Sequence, residues 1–510
     1  MDYDSNDYDE YLNRSFKIRE NFVANKFRPN YHFLPPEGYW NDINGCIFWK
    51  GRYHIGYLQK IRNGQNIRDF SSWQHISSRD LLHWKYHKSS LNEPLLGAKG
   101  NYFNSGDIMR GMDIPTIITN MPSKGICIYQ SFDENLDNWI PVNENPVISI
   151  NDGIKANSEI NSNEVKFNES VIFDPSGWKD QNSYYALIGN KNFRKGFEGD
   201  STSLFKSKDL IKWEYIGPFY RSNRKWTSEE EDCACSQFFP FGNKYMLLMH
   251  THKPFNKCQY YIGDFSDDQF IPQLNGQLSY LGSMLAGPET LLDDKGRRIF
   301  WGWVRDAIFT KKSGWNSIMT IPWHFKSSPS NELLIQPVDE IKSLRYDYIN
   351  LNNFHLHKEK IIEGFESDCM EIELTIDFQK STEFGFKLLC SYDETEETIV
   401  SYKIKEKKFV IDFNRSSIEK IYYPCGNNLV LKKGDLYQNI PYEKINSKII
   451  NFRIFIDKSI IEIFVDNKIC FVQRVYPVKN DSKLFKIFTL NDAIKIINLK
   501  KWEMDSTNPW

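Results

Sequence analysis

Short apolar runs separated by polar turns recur along the first two thirds of the chain. Each pair of runs fits a β-hairpin, because the runs have strand length and the breaks carry Gly, Asn, Asp or Pro. Five such hairpins are present, and their turns fall at 50–52, 122–125, 180–182, 242–243 and 294–296. This pattern predicts a series of small antiparallel sheets.

A second repeat supports the first. The motif Leu-x-x-Trp ends at Trp84, Trp139 and Trp213, and "SRDLLHW" and "SKDLIKW" share Ser-x-Asp-Leu-x-x-Trp. Repeats spaced by roughly 50 to 70 residues are typical of a β-propeller, in which each blade is one small sheet. Five hairpins therefore predict five blades, and a β-sandwich with coincidental spacing is the alternative.

The pattern changes near residue 350. Strict alternation of apolar and polar residues appears in "MEIELTIDF" and returns in "FRIFIDKSIIEIFVDNKICFVQRVYP", which indicates antiparallel strands with one buried face. The expected fold class is all-β, with a five-bladed β-propeller followed by a C-terminal β-sandwich. The expected segments are a polar N-terminal stretch at 1–26, the propeller at 27–348 and the sandwich at 349–510, with a linker at about 345–356.

Composition excludes several classes of function. The 510 residues carry a net charge of −2, so no basic surplus exists to bind nucleic acid. The nine cysteines are odd in number and loosely spaced, which argues against a disulfide framework. No run of 18 apolar residues is present, so a membrane is not an expected partner.

Location and assembly are less constrained. The first 30 residues are acidic and polar and contain no apolar signal-peptide core, so we expect a cytoplasmic protein, or a secreted one if a leader has been removed. The oligomeric state stays open, with a homodimer as one option.

Three acidic positions stand near hairpins of different predicted blades. Asp42 precedes the first hairpin, Asp174 interrupts the apolar run "VIFDPSGW", and the cluster "SEEEDCACSQFFPFG" precedes the fourth hairpin. Any one of them alone fits a cap or a salt bridge. Together they favour glycoside cleavage with retention, which needs two carboxyl groups about 5 to 5.5 Å apart at one site.

These motifs also resemble a known family. "YWNDING" resembles the Trp-Met-Asn-Asp-Pro-Asn-Gly signature of glycoside hydrolase family 32, the invertase, inulinase and levanase family. Other segments resemble further motifs of that family in the same order, over about residues 27 to 503: "YHIGYLQ", "WQHISSRDLLHW", "FNSGD", "FDP", "EDCAC" with "FFP", and "RIFIDKSIIEIFVDN" with "RVYP".

The resemblance implies a propeller with a sandwich, and retaining hydrolysis of β-fructofuranosidic bonds in sucrose, fructo-oligosaccharides or fructans through a covalent fructosyl-enzyme. It implies no cofactor and no metal, with the saccharide substrate as partner. Asp42 matches the nucleophile, Asp174 the carboxylate that holds sugar hydroxyls, and Glu231 is the preferred acid/base. The expected substrate-binding residues are Asn41, Gln59, Ser105 and Trp73.

Two departures from the family pattern matter. Phe173 replaces the arginine of Arg-Asp-Pro, and either Arg305 or Lys253 is a candidate replacement donor. The family also places glutamate directly before cysteine, whereas Asp232 precedes Cys233 here. Among the nearby acids, Glu231 therefore ranks first, Asp232 second and Glu230 third.

Three alternatives to hydrolysis remain open. The same site serves a fructosyltransferase if a sugar replaces water as acceptor. The altered motifs also fit a catalytically impaired sugar-binding propeller. A different five-bladed glycosidase, such as an arabinosidase or xylosidase, shares three propeller acids but not the C-terminal signature.

Overall fold

The computed structural model describes most of the chain as β-structure. It covers residues 25–35, 39–63, 66–88, 90–91, 103–121, 124–150, 173–189, 202–219, 225–226, 231–308, 315–426, 429–445 and 447–508. Within these ranges no helix has the length and apolar character needed to cross a membrane.

The first strands form five separate antiparallel sheets, which confirms the five predicted blades. Blade by blade, the strands are β1 (Tyr39–Trp49), β2 (Arg52–Asn63), β3 (Asn66–Ser78) and β4 (Trp84–Tyr86); β5 (Gly106–Ile108), β6 (Thr116–Met121), β7 (Gly125–Gln130), β8 (Ile140–Pro141) and β9 (Ile148–Ser149); β10 (Phe173–Asp180), β11 (Ser183–Gly189), β12 (Thr202–Ser207) and β13 (Trp213–Pro218); β14 (Ala234–Phe241), β15 (Lys244–Thr251), β16 (Lys257–Ser266) and β17 (Gln269–Gln277); β18 (Leu285–Leu292), β19 (Arg298–Val304), β20 (Ile318–Met319), β21 (Trp323–Ser327) and β22 (Leu333–Pro337). Each predicted hairpin lies in a different sheet.

The Leu-x-x-Trp repeat forms the same turn in three blades. Its leucines, Leu81, Leu136 and Leu210, all have positive φ, at 72°, 58° and 66°. Asp80 and Asp209 each accept hydrogen bonds from the backbone N–H groups two and three residues later. The repeat is therefore a capped turn between the outer strands of a blade.

The C-terminal strands form a β-sandwich. Its two six-stranded sheets have the orders β23-β36-β25-β32-β33-β34 and β24-β35-β26-β27-β28-β31, and β29 pairs with β30. The strands are β23 (Arg345–Leu356), β24 (Lys360–Ile361), β25 (Cys369–Asp377), β26 (Glu383–Cys390), β27 (Thr398–Lys403), β28 (Lys408–Asp412), β29 (Tyr423–Gly426), β30 (Leu429–Leu431), β31 (Tyr437–Pro441), β32 (Ile449–Asp457), β33 (Ile460–Val465), β34 (Ile469–Arg474), β35 (Leu484–Leu490) and β36 (Ile494–Met504). The alternating apolar residues of β25 are buried in this core.

The two domains meet earlier than the sequence suggested. The last propeller strand ends at Pro337, and a 3₁₀ helix, Asp339–Leu344, leads into β23. Residues 345–356, expected to be a linker, therefore form an edge strand of the sandwich paired with β36. Most side chains of β23 are exposed, so the strand lacks the apolar alternation that marks β25.

The segment at 25–35 packs on the sandwich although it precedes the propeller in the chain. The carboxylate of Asp457 accepts hydrogen bonds from the backbone N–H groups of Asn30, Tyr31 and His32 at 2.6, 2.8 and 2.9 Å. Residues 1–24 of the expected polar stretch lie outside the described residues.

A buried charged network then joins this segment to both domains. The His32 ring contacts Asp457 at 2.9 Å and Glu462 at 3.2 Å, and all three side chains are fully buried. Glu462 also accepts hydrogen bonds from the indole of Trp323 at 2.6 Å and the backbone N–H of Ile321 at 3.0 Å, both near blade five. Burial alone would lower the pKa of His32, but the hydrogen bonds and charges of its two acidic partners outweigh it and raise the pKa to about 9.

This network predicts a pH-dependent stability. The folded pKa of His32 lies above its ordinary value of 6.5, so its contribution is complete below pH 6.5 and is lost as the pH rises through about 9. The change amounts to about 3 kcal/mol in the free energy of unfolding. Urea unfolding should show that the native chain has a larger free energy of unfolding than His32→Gln, and that this difference becomes smaller between pH 6 and pH 9.5. A difference in the free energy of unfolding that stays constant across this pH range would contradict the predicted effect of His32 protonation.

Candidate active site

The first strand of each blade lies at the centre of the propeller. Around the ring, β1 contacts β5 and β18, β10 contacts β5 and β14, and β14 contacts β18. These five inner strands therefore close a ring around one axis. Side chains from blades distant in sequence meet there.

Bulges in the inner strands turn side chains toward the axis. In β10, Phe173 pairs with Gly189 and Ser176 with Leu187. The segment of β10 between these two pairs therefore contains one residue more than the facing segment of β11. The inner strands β1, β14 and β18 carry a register shift in their first half as well. An extra residue of this kind bends the strand and redirects the side chain beside it.

The bulge in β1 contains Asn41 and Asp42, between Trp40 and Ile43. Ser105, just before β5, donates its hydroxyl hydrogen bond to Asp42 Oδ2 at 2.7 Å. A short bond to a charged oxygen is among the stronger hydrogen bonds in proteins, so it fixes this carboxylate. Two residues predicted from separate motifs thus meet at the axis.

Asp174 and Cys235 occupy equivalent bulges in β10 and β14. Their φ angles are 46° and 45°, and Gly287 in β18 has the same value of 45°. The Cys235 thiol lies 3.6 Å from Asp174 Oδ2 and donates to it. Burial raises the pKa of Cys235 well above its ordinary value, and the charges of Asp174, Asp42 and Glu289 raise it further. The charges of Asp42 and Asp174 therefore both raise the pKa of the Cys235 thiol, which places the two carboxylates near one another.

Glu231 points in another direction. It is 2% exposed. It receives hydrogen bonds from Lys257 Nζ at 2.5 Å and from the Tyr261 hydroxyl at 3.4 Å. Both partners belong to β16, the third strand of the blade rather than the inner one. The structure brings Asp42, Ser105 and Asp174 together, whereas the contacts of Glu231 lie within its own blade.

The other acids of this cluster offer no replacement in the described chain. Asp232 receives hydrogen bonds from the ring and the backbone of His252 at 2.8 and 2.7 Å. Burial would raise the pKa of Asp232, but its bonds and the charge of His252 lower the pKa to about 2. It is therefore ionised at neutral pH and has no proton to donate. Glu230 lies outside the described residues.

The register of the bulges identifies which cysteine belongs to the family motif. Cys235 stands at the axis position, whereas Cys233 is buried in an apolar cluster with Phe238 and Tyr261. The residue directly before Cys235 is Ala234, which is fully buried. The resemblance expects glutamate at that position, so the carboxyl group is missing there. Sequence reasoning favoured Glu231 because Glu-Asp-Cys looks like the motif displaced by one residue.

Two further predicted residues have different positions. Gln59 pairs with Trp40 across the β1–β2 ladder and is 5% exposed, which places it beside the Asp42 bulge. Trp73 is 1% exposed, and its indole donates to the carbonyl of Asn104 at 2.9 Å. The prediction that Trp73 contacts substrate is therefore wrong, because its ring has no open face. It supports the loop that carries Ser105.

Phe173 is buried against the neighbouring strand of its own blade. Its side chain is 4% exposed, and a methyl group on Gly189 would lie 2.9 Å from the tip of its ring. Arg305, and not the residue at position 173, is the charged group close to Asp42 near the axis. With the Asn256 amide oxygen turned toward it, Arg305 donates two hydrogen bonds of 2.6 and 2.9 Å. Burial lowers the pKa of Arg305, and the charge of Asp42 is among the effects that oppose this shift.

The floor of the site is also polar. Glu289 on β18 is 1% exposed and accepts a hydrogen bond from the amide of Gln237 on β14. Burial, and then the charge of Asp107, raise the pKa of Glu289 well above its ordinary value. Asp107 on β5 is paired with Arg110 at 2.7 Å. This layer links three inner strands beneath Asp42.

Comparison with known proteins identifies the family. The description "Glycosyl hydrolases family 32 N-terminal domain" matches residues 32–337, and "Glycosyl hydrolases family 32 C terminal" matches residues 340–503. A beta-fructofuranosidase, insoluble isoenzyme 4, of Oryza sativa subsp. japonica is 25% identical over 94% of this chain and 89% of its own length. A sucrose-6-phosphate hydrolase of Zymomonas mobilis is 24% identical over 96% and 95%.

The fold agrees with these matches. The crystal structure of fructan 1-exohydrolase IIa from Cichorium intybus superposes with a TM-score of 0.75 at 19% identity, covering 94% of this chain and 98% of the other. The two matched domains span the propeller and the sandwich in order, which excludes a different family of five-bladed glycosidases. The chain is a glycosidase that belongs to glycosyl hydrolases family 32.

Proposed function

We propose that this protein hydrolyses β-fructofuranosidic bonds in sucrose, fructo-oligosaccharides or fructans, with retention of configuration. The proposal rests on Asp42, held by Ser105, and Asp174, held near Cys235, because both carboxylates act on the same Cys235 thiol near the propeller axis. The relatives named above act on fructosides, as their names state, and the chain matches almost their full length.

In the proposed first step, a carboxylate oxygen of Asp42 attacks C2 of the fructosyl unit. The bond from C2 to the leaving oxygen breaks, and that oxygen takes up a proton. In the second step, water attacks C2 of the resulting ester. Fructose is released, one proton goes to solvent, and the Asp42 carboxylate is restored.

The neighbouring groups have supporting roles. Asp174 accepts hydrogen bonds from fructosyl hydroxyls and stabilises the positive charge that develops on the ring in the transition state. Asn41, inside the bulge, and Gln59, next to it, line the fructosyl site. Arg305 supplies the cationic charge that Phe173 cannot, because its guanidinium group interacts electrostatically with Asp42.

Proton donation to the leaving group is the weak step of this mechanism. Ala234 has no ionisable group, and Glu231 is engaged by Lys257. We propose that solvent protonates the leaving oxygen. General acid catalysis usually contributes about 10²- to 10⁴-fold, so the enzyme should be slow on sugars and faster when the leaving group needs no proton.

The same observation favours a second candidate function. With Ala234 and Phe173 at two catalytic-motif positions, the propeller fits a protein that binds fructosides with little turnover. Saturable binding of a fructo-oligosaccharide without release of fructose would support this candidate. A trisaccharide product at high sucrose concentration would indicate fructosyl transfer instead.

Asp42 should be essential for turnover. Asp42→Ala is expected to lower kcat/KM for an activated aryl β-fructofuranoside by at least about a thousandfold, since the nucleophile is removed. Ser105→Ala should lower it about tenfold, because one hydrogen bond to the charged carboxylate is lost. Asp113→Ala is the control, since Asp113 is exposed and pairs with Lys179 on the surface. Equal activity of the native protein and Asp42→Ala would exclude the mechanism.

The missing acid predicts a dependence on the leaving group. The native protein should cleave the aryl fructoside much faster than sucrose, and Glu231→Gln should change either rate less than about threefold. Ala234→Glu should raise sucrose hydrolysis at least about tenfold by restoring a carboxyl group at the axis. A loss of sucrose hydrolysis in Glu231→Gln comparable to that of Asp42→Ala would identify Glu231 as the acid instead.

A further inference from the structure

Three histidines cluster in blade one, away from the axis site. His54 lies on β2, His75 on the neighbouring β3, and His87 just after β4. The rings of His75 and His87 are stacked, with centroids 4.2 Å apart and an interplanar angle of 25°. Asp137, from the connection between β7 and β8 of blade two, closes the cluster.

Asp137 faces two of the imidazole rings. Its Oδ1 atom lies 2.9 Å from His87 Nδ1 and 3.8 Å from His75 Nδ1. One ligand atom from each of these three residues lies within 4.8 Å of the others. Tetrahedral zinc, with bonds of about 2.0 to 2.2 Å, places its ligand atoms about 3.3 to 3.5 Å apart, so small side-chain shifts suffice.

The buried His75 ring is unsatisfied without a cation. Its Nε2 atom hydrogen-bonds to His54 Nδ1 at 2.9 Å, but its Nδ1 atom is buried and makes no hydrogen bond. With the proton on Nε2, a lone pair on Nδ1 faces a carboxylate oxygen. With the proton on Nδ1, a buried N–H ends too far from that oxygen to donate to it. A cation between Nδ1 and Asp137 removes the conflict in the first arrangement.

We infer that His75, His87 and Asp137 bind a divalent transition-metal ion, and that Zn²⁺ fits this set of two imidazoles and one carboxylate. Each imidazole has an outer partner that can hold its second nitrogen, as metal-bound histidines usually do. For His75 the partner is His54, and for His87 it is Ser77, whose Oγ lies 2.7 Å from Nε2. Asp137 is 27% exposed, which provides an entry path and room for a water ligand.

The ion would join blade one to blade two. His75 and His87 come from the outer part of the first sheet, whereas Asp137 comes from the second. His75 lies on β3, His87 directly follows β4, and Asp137 lies in the connection between β7 and β8. Metal bound there stabilises the folded chain by mass action, independently of fructoside hydrolysis.

The test is Zn²⁺ binding to the full-length protein by titration calorimetry, with Co²⁺ absorption as a report on coordination. We expect one equivalent bound at micromolar or tighter dissociation constant, and a rise in Tm with Zn²⁺. His87→Gln and Asp137→Asn should each weaken binding at least about tenfold and abolish the rise in Tm. Asp137→Asn preserves side-chain shape, so it decides the outcome if His87→Gln fails to fold.

The matched control is His83→Gln. His83 also contacts an aspartate, Asp80, at 2.8 Å, but this pair is exposed and lacks a second imidazole. Its loss should leave Zn²⁺ affinity unchanged. Absence of micromolar Zn²⁺ binding to the native protein, or equal affinity in the native and Asp137→Asn proteins, would overturn the proposed site.

Discussion

The closure of five inner strands around one axis is the constraint on which the site depends. No blade carries the site alone: Asp42 comes from β1, Ser105 from the start of blade two, Asp174 from β10 and Cys235 from β14. Bulges with left-handed backbone at Asp174 and Cys235 redirect those side chains. The strain of such residues is tolerated because the neighbouring inner strands pack on both sides and leave the backbone no alternative path.

This convergence concentrates acidic groups in a poorly solvated place, and the chain compensates each one differently. Asp42 receives a hydroxyl hydrogen bond, and Asp107 is neutralised by Arg110. Burial and the charge of Asp107 raise the pKa of Glu289 well above its ordinary value, which favours its neutral form. Asp42 and Asp174 both raise the pKa of the Cys235 thiol, and in the proposed mechanism both face the fructosyl unit.

The sequence predicted much of this architecture, since hairpin turns and period-two alternation are local signals. Asp42 could be found because it precedes the first hairpin in a segment that resembles the family signature, and Asp174 because it interrupts an apolar run. Glu231 illustrates the limit, because a bulge shifts the register and only the strand pairing reveals that Ala234 and Cys235 hold the motif position. Trp73 was expected to bind substrate, but its indole is buried and bonded to Asn104, which precedes the first strand of blade two. Strand β23 could not be predicted because an exposed edge strand lacks apolar alternation. The imidazole cluster could not be predicted because its members are far apart in sequence.

If Asp42 is the nucleophile, it forms a covalent bond to the fructosyl unit during turnover. This bond can be trapped by mixing the native protein with an activated aryl β-fructofuranoside, quenching with acid within the first turnovers, and mapping the peptides by mass spectrometry. We expect a peptide that contains Asp42 and carries the added mass of one dehydrated hexose. The same label on a peptide that contains Asp174, or complete turnover with no labelled peptide at any quench time, would contradict this role of Asp42.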